Sequence, residues 1–189
     1  MSRNAIITIF ILLLILIVAG YFAYRAYIAP AAKKVVDVSV GEAALGLDSA
    51  TTTYTDRQGE PVSVEIAQGS VLIVHSWASW VPSSPESLQD LANLQNSYSE
   101  TELQVLAINR SEPDHIAEQF LKQINVDSLE ILSDTDDHFY SSVAGTSMPE
   151  TVFFDADGRV LFHIKRPLST EELEVLIDNA LHIAQNYRQ

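Results

Sequence analysis

The sequence contains no cysteine. Without thiols the chain cannot form a disulfide, use a thiolate as a nucleophile or hold zinc through sulfur. Thiol–disulfide exchange by its own residues is therefore excluded. The absence does not fix the cellular compartment, because a protein without cysteine is compatible with any redox state.

Positively charged residues are also scarce. The chain has 11 Lys and Arg against 25 Asp and Glu, which gives a formal net charge of -14. A surface this acidic disfavours nucleic acid and anionic lipid as direct partners. Acidic surfaces commonly serve solubility alone, so the charge by itself assigns no function.

The sequence offers no pattern for holding a metal. Its five histidines include no H-E-x-x-H motif and no paired spacing. The run Ser133–His138 (SDTDDH) resembles a calcium loop but lacks the glycine and the terminal glutamate at the required offsets. We interpret it as an acidic turn that caps a helix, and we expect neither a metal nor a cofactor.

One long segment carries no charge at all. Ala5–Tyr24 holds twenty uncharged, mostly apolar residues, which at 1.5 Å per residue span about 30 Å, the thickness of a bilayer core. A cleaved signal peptide is the alternative, but its apolar region is normally about 7–15 residues long. We therefore predict a transmembrane anchor at 1–28, a linker at 29–50 and one globular domain at 51–189.

Beyond residue 50, strand and helix patterns alternate. Two short strands flank the turn Asp56–Gly59 and predict a hairpin. The central strand Val71–His75 is followed by helix, strand, helix, strand and helix, then by a second hairpin around Asp155–Gly158 and a last helix capped from Ser169. This order predicts an α/β fold with a mixed central sheet flanked by helices.

The stretch Val71–Ser87 combines an apolar strand, a tryptophan-rich turn and the start of a helix. Within it, residues 77–84 (WASWVPSS) resemble the W-A-x-W-C-x-x-C active-site segment of membrane-anchored thioredoxin-like proteins of the TlpA/ResA type. In that resemblance the two cysteines fall on Val81 and Ser84. The resemblance implies a thioredoxin fold with an N-terminal hairpin and a helix–strand insertion, here in the region 113–132.

The two degenerate motif positions leave no catalytic residue to predict. Val81 is an inert hydrocarbon, and the Ser84 hydroxyl cannot form a sulfur–sulfur bond. A serine nucleophile needs a base in reach and an oxyanion site, whereas the nearest base in sequence is His75 on a buried strand. We interpret Ser84 as the N-cap of the helix and His75 as a core residue with a hydrogen-bond partner.

Residues 145–151 (GTSMPET) resemble the cis-proline loop of the same family, and the Pro-Glu-Thr run resembles its cytochrome-c-maturation branch. The resemblance implies a cis Met148–Pro149 bond beside Val81, with a backbone edge at Met148 that pairs with an extended peptide. We expect Trp77 in the core and Trp80 at the surface, where it forms an apolar patch with Val81 and Met148. The predicted binding residues are Trp77, Trp80, Val81, Pro82, Met148 and Pro149.

These residues favour a redox-inactive thioredoxin-like domain that binds a protein or an extended peptide segment, including one from a membrane complex. Such an apolar surface predicts weak to moderate binding that is insensitive to salt, with the acidic surface tuning the choice of partner. The alternative is a thiol–disulfide oxidoreductase of the TlpA/ResA type, acting in cytochrome c maturation or envelope redox homeostasis, as the resemblance alone implies.

Two arguments give opposite orientations in the membrane. The charges of Arg25, Lys33 and Lys34 slightly favour a cytoplasmic domain, whereas the resemblance implies a domain outside the cytoplasmic membrane. We follow the resemblance. The prediction is a single-pass protein of the inner (cytoplasmic) membrane with its domain on the extracytoplasmic, periplasmic side.

Overall fold

The computed structural model describes residues 5, 17–19, 54–62, 71–98 and 103–186. The chain divides into two compact units, Met1–Val35 and Val36–Gln189. Among the described residues, no helix is both long and apolar enough to cross a membrane. The anchor at Ala5–Tyr24 and the linker after it lie almost wholly outside those residues and stay predictions.

The described part of the second unit contains seven strands and four helices. The strands are β1 Tyr54–Thr55, β2 Pro61–Val62, β3 Val71–Trp77, β4 Leu103–Arg110, β5 Glu130–Asp134, β6 Glu150–Phe154 and β7 Val160–Ile164. The helices are α1 Ser84–Ser97, α2 Asp114–Ile124, α3 His138–Ser142 and α4 Thr170–Asn186. The predicted order of elements is confirmed.

The seven strands form one mixed sheet in the order β2-β1-β5-β4-β3-β6-β7. β3, β4 and β5 run parallel to one another, whereas β6 is antiparallel to β3, and β7 to β6. The C-terminal ends of the three parallel strands therefore meet the beginning of β6 at one end of the sheet. All seven residues of β3 are buried, which explains the uninterrupted apolar run at the start of this strand.

Apolar cores lie on both faces of the sheet. One core joins the sheet to α1, α2 and α4 and includes Trp77, Leu88 and Leu176. The other joins it to α3 and includes Val74 and Phe139. Because successive side chains of a strand point to opposite faces, β3 contributes to both cores.

The predicted caps of α4 and α3 are confirmed, whereas the predicted cap of α1 is wrong. The Ser169 N–H donates to Glu172 Oε2 at 3.1 Å, and the Glu172 N–H donates to Ser169 Oγ at 3.3 Å, which forms the predicted capping box. Asp134 accepts the backbone N–H groups of the first two residues of α3, at 2.8 and 2.9 Å, so the acidic turn is a helix cap. The N-cap assignment of Ser84 is wrong, because Ser84 is already helical and Ser83 is the N-cap.

A close contact between Arg110 and an aromatic ring of α3 lies just before the loop that leads to Pro149. The Arg110 guanidinium lies 3.3 Å from the centre of the Tyr140 ring and forms hydrogen bonds of 2.6 and 2.8 Å to Asp137. A Cβ atom on Gly145 would clash with the same ring. Glycine is required at this position because it permits the close approach.

Candidate functional site

The turn that follows β3 is built from hydrogen bonds within residues 78–84. The Val81 N–H donates to the Ala78 carbonyl at 3.1 Å, and the Ser84 N–H donates to the Val81 carbonyl at 3.0 Å. Ser84 Oγ also donates to the Ala78 carbonyl, at 2.8 Å, and the Ser84 side chain is fully buried. This hydroxyl therefore stabilises the turn and faces no solvent.

The prediction that Val81 lies at the surface is wrong. Its side chain is only 4% exposed, because the turn packs it inward. The predicted apolar patch of Trp80, Val81 and Met148 therefore loses one of its three members. Both positions that resemble the family's cysteines, Val81 and Ser84, are closed to solvent.

The two tryptophans occupy opposite environments, as predicted. Trp77 is fully buried and stacks on Phe120 with ring centroids 5.6 Å apart. Trp80 is 63% exposed, and the neighbouring Pro82 is also exposed. Among the large hydrophobic side chains exposed in the described part of the chain, Trp80 is the only aromatic one. Exposed tryptophan is over-represented among the residues that dominate protein interfaces.

A buried carboxylate joins this turn to the end of β4. Glu112 Oε2 accepts the Ser79 N–H at 2.7 Å, and Glu112 Oε1 accepts the Ser79 hydroxyl at 2.5 Å. Asn109 donates its side-chain amide to Glu112 Oε2 at 2.8 Å. Since Asn109 pairs with Trp77 in the sheet register, both strand ends and the turn form one hydrogen-bonded unit. Trp80 therefore projects from a fixed backbone.

The loop before β6 reaches the same end of the sheet. The Met148–Pro149 bond is cis, as predicted, and the next residue, Glu150, pairs with Ser76 of β3. Pro149 is buried and Met148 is half-buried. The hydrogen bonds found in the described part of the chain leave the Met148 backbone N–H and C=O without a partner. Contact between Pro149 and Val81 stays a prediction.

Glu150 holds this loop from the core. Its carboxylate is fully buried. Oε1 accepts the N–H groups of Thr146 and Ser147 at 2.6 and 2.8 Å, and Oε2 lies 2.8 Å from His163 Nε2. Burial alone would raise the pKa of Glu150, but the hydrogen bonds from His163 and from the loop backbone outweigh it and hold that pKa below its usual range.

Two cations from the segment after β7 complete the site, and both are engaged. Lys165 Nζ donates to the Ala144 carbonyl at 2.8 Å, and the Lys165 carbonyl accepts the Ser147 hydroxyl at 2.8 Å. Arg166 donates to the Glu172 carboxylate at 3.0 and 3.3 Å. The contacts of Lys165 hold the loop but leave its charge in place, whereas the charge of Arg166 is paired with Glu172.

His75 is a core residue. It is 3% exposed, and its Nδ1 lies 2.9 Å from Thr151 Oγ1. The prediction that buried His75 has a hydrogen-bond partner is therefore confirmed. Burial lowers the pKa of His75 to about 4, so the ring is neutral near pH 7. Its Nε2 has no partner among the described residues. The Ser84 hydroxyl donates to a backbone carbonyl instead, which gives no support to a serine nucleophile.

Glu112 and Glu150, the two carboxylates that organise the site, were not predicted from the sequence. Their partners lie far along the chain, 33 residues away for Ser79 and 13 for His163. A weak signal was present in both cases. Glu112 lies two residues after the end of β4, and Glu150 directly follows the loop proline.

A turn and helix after the central strand, together with a cis-proline loop at the same end of the sheet, define a thioredoxin-like domain. Residues 30–179 match the Redoxin family, and the chain belongs to it. The resemblance drawn from the Val71–Ser87 stretch is thereby confirmed at the level of the family.

Individual relatives agree with this assignment. The thiol-disulfide oxidoreductase ResA of Bacillus thuringiensis subsp. konkukian is 22% identical over 175 residues, which cover 92% of this chain and 95% of that protein. The structure of a secreted disulfide oxidoreductase of Mycobacterium tuberculosis, homologous to E. coli DsbE, matches with a TM-score of 0.60 at 19% identity. The match covers 70% of this chain and 98% of that protein. StoA of Bacillus subtilis has a TM-score of 0.56 at 17% identity, covering 66% of this chain and 93% of StoA.

Replacing Glu112 by glutamine tests the link between the turn and β4. The variant Glu112→Gln keeps the side-chain size but turns one acceptor oxygen into an NH2 group that faces the donors of Ser79 and Asn109. We expect a loss of about 1–3 kcal/mol in the free energy of unfolding, measured by chemical denaturation, and a more mobile Trp80 indole by NMR relaxation. The control is Glu118→Gln, on the surface of α2, which should cost less than about 0.5 kcal/mol. Equal stability of the two variants would contradict the link.

Titration tests the role of Glu150. Because the pKa of Glu150 is lowered in the folded state, its ionised form stabilises that state. This stabilisation is complete above the ordinary pKa of 4.5 and is lost as the pH falls through the lower pKa of the folded state. Wild type should therefore exceed Glu150→Gln in free energy of unfolding by a constant amount near neutral pH. That difference should shrink below about pH 4.5. Denaturation curves at stepped pH measure it, and a difference that stays constant under acid conditions would refute the assignment.

Proposed function

We propose that this chain is a redox-inactive member of the Redoxin family that binds a partner protein through the surface around Trp80, outside the cytoplasmic membrane. One observation carries the proposal: the positions that resemble the family's cysteines are Val81, a buried hydrocarbon, and Ser84, whose hydroxyl donates to the Ala78 carbonyl. Neither position offers a group for covalent chemistry. Beside them, Trp80 is exposed and the Met148–Pro149 bond is cis.

The geometry favours an extended partner segment. Its backbone would pair with the N–H and C=O groups of Met148, and an apolar side chain would pack on Trp80, which is the mode of β-strand addition. Burying a side chain of this size contributes about 1.5–3 kcal/mol, and ordering the segment offsets part of that gain. Since Glu112 and Glu150 already fix the two halves of the surface, the domain itself loses little freedom on binding.

Thiol–disulfide oxidoreduction is the second candidate. The ResA relative carries that name and aligns over nearly the whole of this chain. Fold and family membership do not by themselves transfer an activity, and a sequence without cysteine holds no thiol to exchange. The version of this candidate that fits the sequence is a protein that binds an oxidoreductase or its substrate without performing the exchange.

Trp80→Ala tests the binding surface. We expect several-fold lower recovery of the crosslinked partner from native membranes, because the variant removes the exposed apolar side chain. The midpoint of thermal unfolding should be nearly unchanged, since the free-energy effect of a surface substitution is usually within about 0.5 kcal/mol. Ile116→Ala is the matched control, because Ile116 is also an exposed apolar residue but lies on α2. Unchanged recovery with Trp80→Ala would place the interaction elsewhere.

The proposed location has its own test. If Ala5–Tyr24 spans the cytoplasmic membrane with the domain outside, added protease should degrade the domain in intact spheroplasts. A cytoplasmic marker protein should survive in the same sample, which controls for lysis. A domain that stays protected until the spheroplasts are broken would reverse the orientation.

A further inference from the structure

The helices beside the site carry charge of one sign. Together α1 and α4 contain six acidic residues and no Lys or Arg: Glu86, Asp90, Glu171, Glu172, Glu174 and Asp178. The whole range 71–109 is also free of Lys and Arg. Over all described residues from Tyr54 onward there are 6 Lys and Arg and 19 Asp and Glu, so the net charge is 6 - 19 = -13.

These two helices lie side by side. Thr170 Oγ1 donates to Asp90 Oδ2 at 2.7 Å, and the Tyr98 hydroxyl donates to Asp178 Oδ1 at 3.2 Å. Both pairs are separated by 80 residues in sequence. A constant separation means that α1 and α4 run in the same direction.

The shared direction places two exposed carboxylates, Glu86 and Glu171, at the end of the domain that carries Trp80. Glu86 lies in the first turn of α1, six residues after Trp80, and Glu171 lies in the first turn of α4. Both side chains are exposed. Because the two helices are parallel and adjacent, Glu171 lies at the same end of the domain as Glu86 and the turn that carries Trp80.

Two cations lie at the same end of the sheet as the acidic rim formed by Glu86 and Glu171, and only Arg166 is paired with a carboxylate. Lys165 donates to the Ala144 carbonyl, and Arg166 donates to Glu172 and to the Pro167 carbonyl. Further along the two helices, burial together with the negative charges of Asp178 and Glu174 raises the pKa of Tyr98 to about 12. Lys165 contributes one positive charge at this end of the domain, against the negative charges of Glu86 and Glu171, so the rim formed by these two acids stays net negative.

We infer that the segment bound at this surface is basic: an extended stretch of a partner protein in which Arg or Lys flanks an apolar residue. The inference rests on the proposed function and names the class of its partner. The apolar residue packs on Trp80, and the flanking cations approach Glu86 and Glu171. Arginine suits this arrangement, since its guanidinium also stacks on indole faces.

A basic partner segment changes the expected response of binding to salt. Because Val81 is buried, the partner can contact less apolar surface than the sequence predicted. Charge complementarity therefore contributes more to the choice of partner. Attraction between exposed charges is screened by added salt. Binding should therefore weaken as salt rises, in contrast to the salt-insensitive binding expected from the sequence.

Three synthetic peptides of eight residues test the inference on the full chain. Each has Val near its centre in a Ser background. The residue immediately before Val and the residue immediately after it are both Arg, both Gln or both Glu. Binding is measured as the fluorescence anisotropy of a dye on the peptide. We expect the Arg peptide to bind at least tenfold more tightly than the Gln peptide, and the Glu peptide to bind most weakly. The advantage of Arg should fall as salt is raised.

Matched charge variants separate the rim from the overall charge. Glu86→Gln with Glu171→Gln should remove most of the Arg advantage, whereas Glu118→Gln with Glu130→Gln, which changes the net charge equally at other sites, should keep it. An Arg advantage that survives equally in both double variants would overturn the inference.

The remaining outcomes distinguish the inference from the proposed function. Equal binding of the Arg and Gln peptides that is lost in Trp80→Ala would overturn the basic partner and leave the binding surface in place. If none of the three peptides shows binding that is lost in Trp80→Ala, both the basic partner and the binding surface around Trp80 are overturned.

Discussion

Glu112, at the end of β4, accepts hydrogen bonds from the Ser79 backbone and hydroxyl and from the Asn109 amide. A buried carboxylate is costly unless it is hydrogen-bonded, so this site is stable only while all three donors stay in place. That requirement fixes the turn after β3, and the turn in turn decides which side chains face solvent. Trp80 points outward, whereas Val81 is packed inward. On the other side of the site, Glu150 imposes the same constraint on the loop that carries Pro149.

Local patterns were enough to predict most of the fold. Continuous burial of β3, the Ser169–Glu172 capping box and the turn glycines all act over a few residues, so they can be read from the sequence. Contacts between distant segments could not be read in this way. The N-cap of α1 shows the limit, because Ser83 and Ser84 both precede Pro85 and both suit an N-cap. In the structure Ser83 is the N-cap without a side-chain capping bond, and the Ser84 hydroxyl donates to the Ala78 carbonyl instead.

The surface around Trp80 shows the same division between local and distant effects. The exposure of Trp80 and the burial of Trp77 follow from their places in the WASW run, and both were predicted. Burial of Val81 depends on how the turn closes, which the sequence does not reveal. The acidic rim is different again, since the charges are plain in the sequence but their position beside Trp80 depends on the parallel packing of α1 and α4. The domain keeps the turn, the helix and the cis-proline loop of its family, while the buried polar groups Glu112, Glu150 and Ser84 hold these segments in place.

The central claim is that the partner contacts the turn after β3 without a covalent bond. Site-specific photo-crosslinking in native membranes tests it most directly, with a photoreactive residue in place of Pro82 and, as the control, in place of Ile116. The account predicts a crosslinked partner at position 82 that forms only on illumination, withstands reducing agent and is absent at position 116. A partner that crosslinks at position 116 as strongly as at position 82, or at neither position, would contradict it.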